Sequence, residues 1–529
     1  MIRHFFCTAI NPISCSRRAF HSRALTRNIA PQVLCVLLLV SCTARGDDAI
    51  AIGSRRELLV DQHLIEQMDG VQLKLHRPVR REVVFRSDAA WEGNGSAYQS
   101  VFQDGDRMRL YYRGGHHPAS KAYRLKKNPW ETLCVAESTD GIHWTRPELG
   151  IVPFEGSKKN NLILNLEMVS NIGGSPAHTS VFKDSNPDCP DDERYKIVIV
   201  GRKPRGLYLM VSGDGYHFRL KSNKPLTTQG AFDSQNLMFW DSVNRVYREY
   251  HRAFDKGVRG IMTATSKTPG SFPDPEWLAY PDAAEQALYT NQVQPYYRAQ
   301  HIFMGFPMRY NDRGWSPSMT ALPGLEERKF RSKQNPRYGT TVTDASFMTS
   351  RDGINFKRWG EAFIRPGPAT KDAWVYGDNF VFWGMIQTKS HLEGAPDEIS
   401  LYATEGYWQG ESTSFRRYTV RLDGFVSANA PFRGGELVTK PLTFEGSSLE
   451  INFSTSAAGG IRVELQDAAG NPLPGYSIAD CDVQFGDQVD RVVSWKGSHD
   501  ISRLAGKSLR LRVELKDADL YAFQFRSEN

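Results

Sequence analysis

Short apolar runs along this chain end repeatedly in the same polar turn. The stretches LCVAESTDGIHW, YLMVSGDGYHF and FMTSRDGINF break at Ser138, Ser212 and Ser350, each followed by Asp-Gly and an aromatic residue. Two degenerate copies, IMTATSKTPGSF from Ser266 and SLYATEGYW from Thr404, complete a series of five. Their starts lie 74, 54, 84 and 54 residues apart. A strand-and-turn unit recurring at about 65 residues predicts a β-propeller, and five copies predict five blades.

Each turn is preceded by a paired run of strand character, such as SAYQSVFQDGDRMRLYYRG, where alternating apolar residues flank an Asp-Gly-Asp hairpin turn. The segment ELLVDQHLI (Glu57 to Ile65) is expected to supply a closing strand that joins the first blade to the last. From about Arg421 the pattern changes to clean two-residue alternation with Gly-Asn-Pro turns, as in GSSLEINFSTSAAGGIRVELQDAAGNPLPGYS and KSLRLRVELKDADLYAFQF. That predicts a β-sandwich over residues 421–529 behind a propeller over 50–420. With no long amphipathic helix in the pattern, the fold class is all-β: a five-bladed propeller followed by a C-terminal sandwich.

The repeated Ser-x-Asp-Gly turn reads as architecture. Ser and Asp cap nearby backbone, Gly takes a positive φ, and the aromatic residue packs between blades. Asp140, Asp214 and Asp352 are therefore expected to point away from the chemistry.

Composition adds a leader and removes a class of partner. Residues 1–29 carry five arginines and no acid, Val33 to Val40 is apolar, and Ser41-Cys42-Thr43-Ala44 offers small residues for cleavage. This reads as a secretory signal peptide over residues 1–44, too short in its apolar part to span a bilayer. Export to the periplasm or the medium follows as an expectation. Leu39-Val40-Ser41-Cys42 also matches a lipobox, which makes Cys42 an alternative lipid-anchored N-terminus. Five of the seven net positive charges fall in this leader, so the mature chain gives no case for nucleic acid binding. Beyond Cys42 only Cys134, Cys189 and Cys481 remain, which excludes a disulfide framework and any Cys-x-x-Cys metal site. No further apolar run approaches membrane length.

Propeller geometry selects the candidate site. First strands begin on one face around the channel, and the repeated turns, following third strands, lie on the other. The starts of the inner strands hold Glu92, Asn94 and Gln99; His178; Asp233, Gln235 and Asn236; Glu285, Asn291 and Gln292; and Trp374, Tyr376, Asp378 and Asn379. Loops before the third strands add Arg113, His116, His117, Arg252, Arg259, Arg309, Tyr310 and Asp344. Carboxylates for acid–base work, amides and arginines for hydroxyls, and aromatic faces for sugar C–H surfaces make this a carbohydrate site. Glycosidic cleavage normally needs two carboxyl groups about 5–9 Å apart.

On these residues the chain resembles the five-bladed propeller glycosidases of glycoside hydrolase families 32, 43, 62, 68, 117 and 130, over roughly residues 55–420. The stretches LLVDQHLIE, AFDSQNLMFWD and YTNQVQPYY are similar to those of secreted family 32 N-terminal-like proteins from marine polysaccharide-degrading bacteria. The resemblance implies hydrolysis of a glycosidic bond in an oligo- or polysaccharide, without a cofactor. It departs from family 32 in lacking a Trp-Met-Asn-Asp-Pro opening and an Arg-Asp-Pro in the second blade, where Ala177-His178-Thr179 stands instead. Asp233 ranks first as the catalytic acid or base, followed by Glu92 and Asp344, with Asp61, Asp378 and Glu285 behind them. His178, Gln235, Asn236, Asn291, Trp374, Tyr376, Asp378, Arg252 and Arg309 are expected to bind substrate. The His116-His117 pair has no zinc spacing, so no metal site is expected. A glycoside phosphorylase, using one carboxylate and a basic pocket of Arg252, Arg259 and His178, and a non-catalytic glycan-binding propeller are the alternatives.

Overall fold

The computed structural model describes residues 49–121 and 131–527; the expected signal peptide and Cys42 lie outside them. Five antiparallel sheets of four strands form the blades. Blade 1 holds Ser100–Asp104, Arg107–Gly114, Thr132–Ser138 and Leu162–Asn165, and blade 2 holds Ser175–Lys183, Tyr195–Arg202, Arg205–Ser212 and Arg219–Leu220. Blade 3 is Leu237–Asp241, Val246–Asp255, Val258–Ser266 and Glu276–Trp277. Blade 4 is Gln294–Tyr296, Ala299–Gly305, Met348–Ser350 and Lys357–Arg358. Its second and third strands continue into the hairpin Met308–Asp312 and Thr341–Ala345, which carries the short helix Leu325–Ser332. Blade 5 is Ile386–Thr388, Glu398–Glu405, Ser414–Arg421 and, from the N-terminal side, Val79–Arg86.

Blade 5 corrects two expectations. The strand that closes the ring is Val79–Arg86, paired antiparallel with Ser414–Arg421, not the segment Glu57 to Ile65. Glu57–Leu58 and Ile65–Asp69 pair instead with strands of the C-terminal region, Leu509–Arg526 and Gly435–Thr439. The closing strand is polar on its outer edge (VRREVVFR), whereas Leu58 and Leu59 are buried and so carry the more apolar pattern. The degenerate fifth copy at Thr404 is also misplaced, because it follows the second strand of blade 5, not the third. The third strand ends at Arg421 and runs into Leu422-Asp423-Gly424, which takes the place of the repeated turn.

In blades 1, 2 and 4 the Ser-x-Asp-Gly turn is a latch between blades. The Ser138 hydroxyl accepts the N–H groups of Asp140 and Gly141, and Asp140 accepts those of Ile142 and His143. The same bonds recur at Asp214 and Asp352. The turn glycine's carbonyl then accepts a tyrosine hydroxyl from the middle strand of the preceding blade. Tyr402 donates to Gly141 at 2.6 Å, Tyr111 to Gly215 at 3.0 Å and Tyr250 to Gly353 at 2.8 Å. A Cβ on any of these glycines, all at φ between 73° and 81°, would press on that hydroxyl. Apolar cores fill the seams, for example Tyr111, Val135 and Ile163 of blade 1 against Val181, Ile197 and Met210 of blade 2.

The C-terminal region is a ten-stranded sheet built on two long strands, Ser448–Asp467 and Leu509–Arg526, paired along their length with irregularities at Asn452/Phe453 and Thr455/Gly460. N-terminal strands Ile50–Gly53, Glu57–Leu58, Ile65–Asp69 and Gln72–Leu75 also belong to it, so this unit draws on both ends of the described chain. Its core gathers Leu449, Ile451, Phe453, Val463, Val513 and Phe523.

Glu57 ties this sheet to blade 4. Its fully buried carboxylate meets Arg351 of the blade 4 turn at 2.9 Å and the His301 ring at 3.2 Å, while Asp61 meets Arg351 at 2.8 Å. Burial raises the Glu57 pKa, but the bond to His301 and the charge of Arg351 outweigh it and hold the carboxyl down to about 2. The folded protein therefore binds this proton less readily than the unfolded chain does. The resulting stabilisation, on the order of 3 kcal/mol, is present above about pH 4.5 and lost as pH falls toward 2. Glu57→Gln is expected to flatten the fall in urea-unfolding stability across that acid window, whereas wild type loses stability steeply there.

Candidate active site

The inner strands begin on the face opposite the repeated turns, and their first residues meet around the channel axis. Nearest the axis, amides tie blades together, across the axis as well as between neighbours. Gln235 Nε2 donates to the carbonyls of Tyr98 (3.0 Å) and Gln99 (3.1 Å), and Gln292 Nε2 donates to Gln235 Oε1 at 2.7 Å. Asn236 Nδ2 donates to Phe232 and Ser234 carbonyls, and Asn291 lies 3.5 Å from the Gln235 carbonyl. Gln235, Asn236 and Asn291 are at most 1% exposed. Near the axis, strands of different blades come within hydrogen-bond reach, and these amides supply the bonds that no ladder makes there. They plug the channel rather than face a substrate.

Above the plug lies a bowl-shaped cluster of aromatic rings, buried against one another except for half-buried Tyr338 and His117. Tyr289 is its centre: its hydroxyl meets that of Tyr98 at 3.1 Å, and its ring stacks 5.9 Å from Tyr310 and 5.8 Å from Phe380. Tyr376 packs 4.8 Å from Trp408 and 5.7 Å from Tyr338, and His117 stacks on Trp408 at 3.6 Å. Tyr338 is delivered by the helical excursion of blade 4, whose buried Arg328 anchors it by donating to the Trp374 carbonyl at 2.8 Å. Tyr407 and Trp408 are here because the Thr404 turn follows a second strand and so emerges on this face.

Asp233 stands at the rim of the bowl. Its side chain is 74% exposed, and it is ion-paired with Arg252, whose side chain is 2% exposed. The Arg252 guanidinium lies 4.8 Å from the Tyr289 ring centre, and that of Arg259 4.0 Å from Tyr310. Nε and Nη1 of Arg252 and Nε of Arg259 have no hydrogen-bond partner among the described residues. His178 packs 5.3 Å from Tyr98; burial first, then the charges of Arg113 and Arg252, hold its pKa down to about 3. It is therefore neutral at ordinary pH, able to donate one hydrogen bond and accept one.

The other expected acids do not join Asp233. Glu92 is 1% exposed, bound by Tyr112 and by Arg146 at 2.8 and 2.9 Å, and accepts the Ala89 N–H. Asp344 is chelated by both arms of Arg309, at 2.7 and 2.6 Å, which spends both groups on each other. Asp378 is buried and accepts the Tyr407 N–H at 3.1 Å; burial above all pushes its carboxyl well up, toward the neutral form. Asp61 lies on the turn face with Arg351, and Glu285 is exposed on the loop before Tyr289. Trp374 turns its indole N–H to the Gly367 carbonyl at 2.8 Å. Of the three acids first expected to carry the chemistry, one is open to a ligand. Among the described residues no group of three or more His, Cys, Asp or Glu is placed to hold a metal ion, and no helix is long and apolar enough to cross a membrane.

No protein-family model matches the chain, and no curated protein matches it. Solved structures do. An N-acetylgalactosamine deacetylase from F. plautii, in complex with blood group B trisaccharide, is 12% identical, over 66% of this chain and 94% of that one, with a TM-score of 0.39. A member of the glycoside hydrolase family 130, described as mannoside phosphorylases that include hydrolases of β-1,2 mannosidic linkages in Candida mannan, is 12% identical over 65% and 94%, TM-score 0.39. A glycosyl hydrolase from Bacteroides ovatus is 13% identical over 69% and 93%, TM-score 0.37.

Proposed function

We propose that this chain cleaves a glycosidic bond at the aromatic bowl, with Asp233 moving the proton that the reaction requires. One observation carries the reading: an exposed carboxylate pinned by a buried arginine at the rim of a tyrosine-lined funnel mouth. Half-buried Tyr338 offers an apolar face to sugar C–H surfaces, while the neutral, half-buried His178 offers hydrogen bonds to sugar hydroxyls. Arg252 fixes the carboxylate's position, so an incoming oxygen meets a preset acid or base. The closed funnel favours a chain end over a chain interior. Export through the N-terminal leader belongs to this proposal, and detection of the mature protein outside the cytoplasm checks it.

The same geometry favours one second reading. A single open acid beside two arginines with unpartnered nitrogens suits a phosphorylase, in which phosphate rather than water attacks the sugar. Product analysis on a panel of plant and marine polysaccharides, with and without inorganic phosphate, separates the two. Free reducing sugar released without phosphate is the expected result; sugar phosphate formed only when phosphate is present establishes the second reading. No release from any glycan, with binding intact, means a glycan-binding protein and overturns both.

A further inference from the structure

The channel has another mouth. On the turn face, beyond the amide plug, the inner strands of blades 1 to 4 and the Trp383-Gly384 segment that leads into that of blade 5 line a cavity of about 580 Å³. That lies within the range of small-ligand sites, about 300–1,000 Å³. The plug of Gln235, Gln292 and the Tyr98–Gln99 backbone separates it from Asp233, so an occupant there takes no part in the chemistry of the bowl.

Its walls state what it accepts. Phe102, Trp240 and Tyr297 line it, with Tyr297 40% exposed and its hydroxyl tied to Gln387 at 3.0 Å, which holds the ring in place. Trp240 is braced edge-on by Tyr247 at 5.0 Å. Three amides lie among these rings: Gln103, Gln294 and Gln300. The Gln294 Nε2 is buried and has no hydrogen-bond partner among the described residues. Gln103 uses its Nε2 on the Gly105 and Arg107 carbonyls, and Gln300 uses its Oε1 on Ser242, so each keeps its other amide atom for a ligand.

The charged residues of the wall are already matched within the protein. Lys183 pairs with Asp104 at 2.6 Å, Asp184 with Lys196 at 2.7 Å, and Arg194 donates to the Asp184, Asn186 and Cys189 carbonyls and to Asp191. A charged ligand finds no counter-ion here and would be desolvated without compensation. A neutral molecule with flat apolar faces and a rim of hydroxyls finds both aromatic platforms and amide partners.

From these features we infer that the turn-face mouth binds a neutral sugar unit, as a second carbohydrate site independent of the bowl. The inference goes beyond the proposed activity and does not rest on it, because its readout is binding rather than turnover. Calorimetric titration of the full chain with galactose, glucose, mannose, xylose, their β-linked disaccharides and galacturonate tests it, using wild type, Asp233→Asn, Trp240→Ala, Tyr297→Ala and Gln294→Leu. Binding by at least one neutral sugar is expected to survive Asp233→Asn. It is expected to weaken tenfold or more in Gln294→Leu and in either aromatic variant, with the urea-unfolding midpoint of at least one of these kept near wild type. Binding kept at wild-type strength in Gln294→Leu, Trp240→Ala and Tyr297→Ala would place the sugar elsewhere, the bowl included, and overturn the inference. So would no binding by any neutral sugar, or tighter binding of galacturonate than of galactose.

Discussion

Asp233→Asn is expected to lower turnover by about 10²–10⁴-fold, the range for loss of a positioned general acid or base, with little change in KM. The amide keeps the shape of the side chain and a contact to Arg252 but can neither give nor accept the proton. Glu92 and Asp344 are the controls that the structure supplies. Each is held by an arginine, so Asp344→Asn frees Arg309 and is expected to disturb the fold before the chemistry. A fall in kcat confined to Asp233, with unfolding midpoints unchanged, places the proton transfer there. Turnover at the wild-type level in Asp233→Asn removes this residue from the reaction. A rise in KM with kcat intact instead makes Asp233 a binding group.

Arg252→Met completes the test. Arg252 is buried while Asp233 is exposed, so removing the arginine strands no buried charge and takes away only the restraint on the carboxylate. Lower kcat in Arg252→Met, partly restored by Arg252→Lys, marks positioning; loss of folded protein in both marks an architectural role.

What the sequence revealed was local, and what it hid depended on distant partners. The Ser138, Ser212 and Ser350 turns were legible because their hydrogen bonds run between residues two or three apart. The false copy at Thr404 kept a glycine and a tryptophan and so passed for the fifth turn. The segment that takes its place, Leu422-Asp423-Gly424, has its aspartate held by Arg56, Arg298 and Tyr296, far away in the chain. The count of five was right for a reason partly wrong. Strand starts did point to the channel mouth, and Asp233 was found there. Position alone did not distinguish an open acid from a neutralised one: Glu92 is silenced by Arg146, 54 residues away, and Asp344 by Arg309, 35 residues away. The amides chosen as sugar ligands sit one layer too deep, where blades need bonds to each other. Tyr407 and Trp408 read as turn packing in the sequence, yet the direction of their strand brings them into the bowl.

Gly384→Ala is expected to be the most damaging small substitution in the propeller, at about 4 kcal/mol. Gly384 lies where the last blade meets the first along the axis. There Val101 N–H donates to the Trp383 carbonyl at 2.8 Å and Trp383 N–H to the Gln99 carbonyl at 2.9 Å. Gly384 has φ 119°, and a Cβ on it would fall well inside the Val101 carbonyl oxygen. Backbone strain in that region costs about 1–3 kcal/mol, and forcing an atom into a packed seam adds a similar amount. The obstacle is main chain, so no rotamer change relieves it, and the two blades must part. Gly394→Ala is the matched control: φ is 75°, but nothing lies within 4 Å of a Cβ there, so only strain remains. Urea unfolding followed by tryptophan fluorescence should show a small shift for Gly394→Ala and a several-fold larger one for Gly384→Ala. Equal shifts would mean that the inner seam yields freely, leaving the outer strand Val79–Arg86 to close the ring alone.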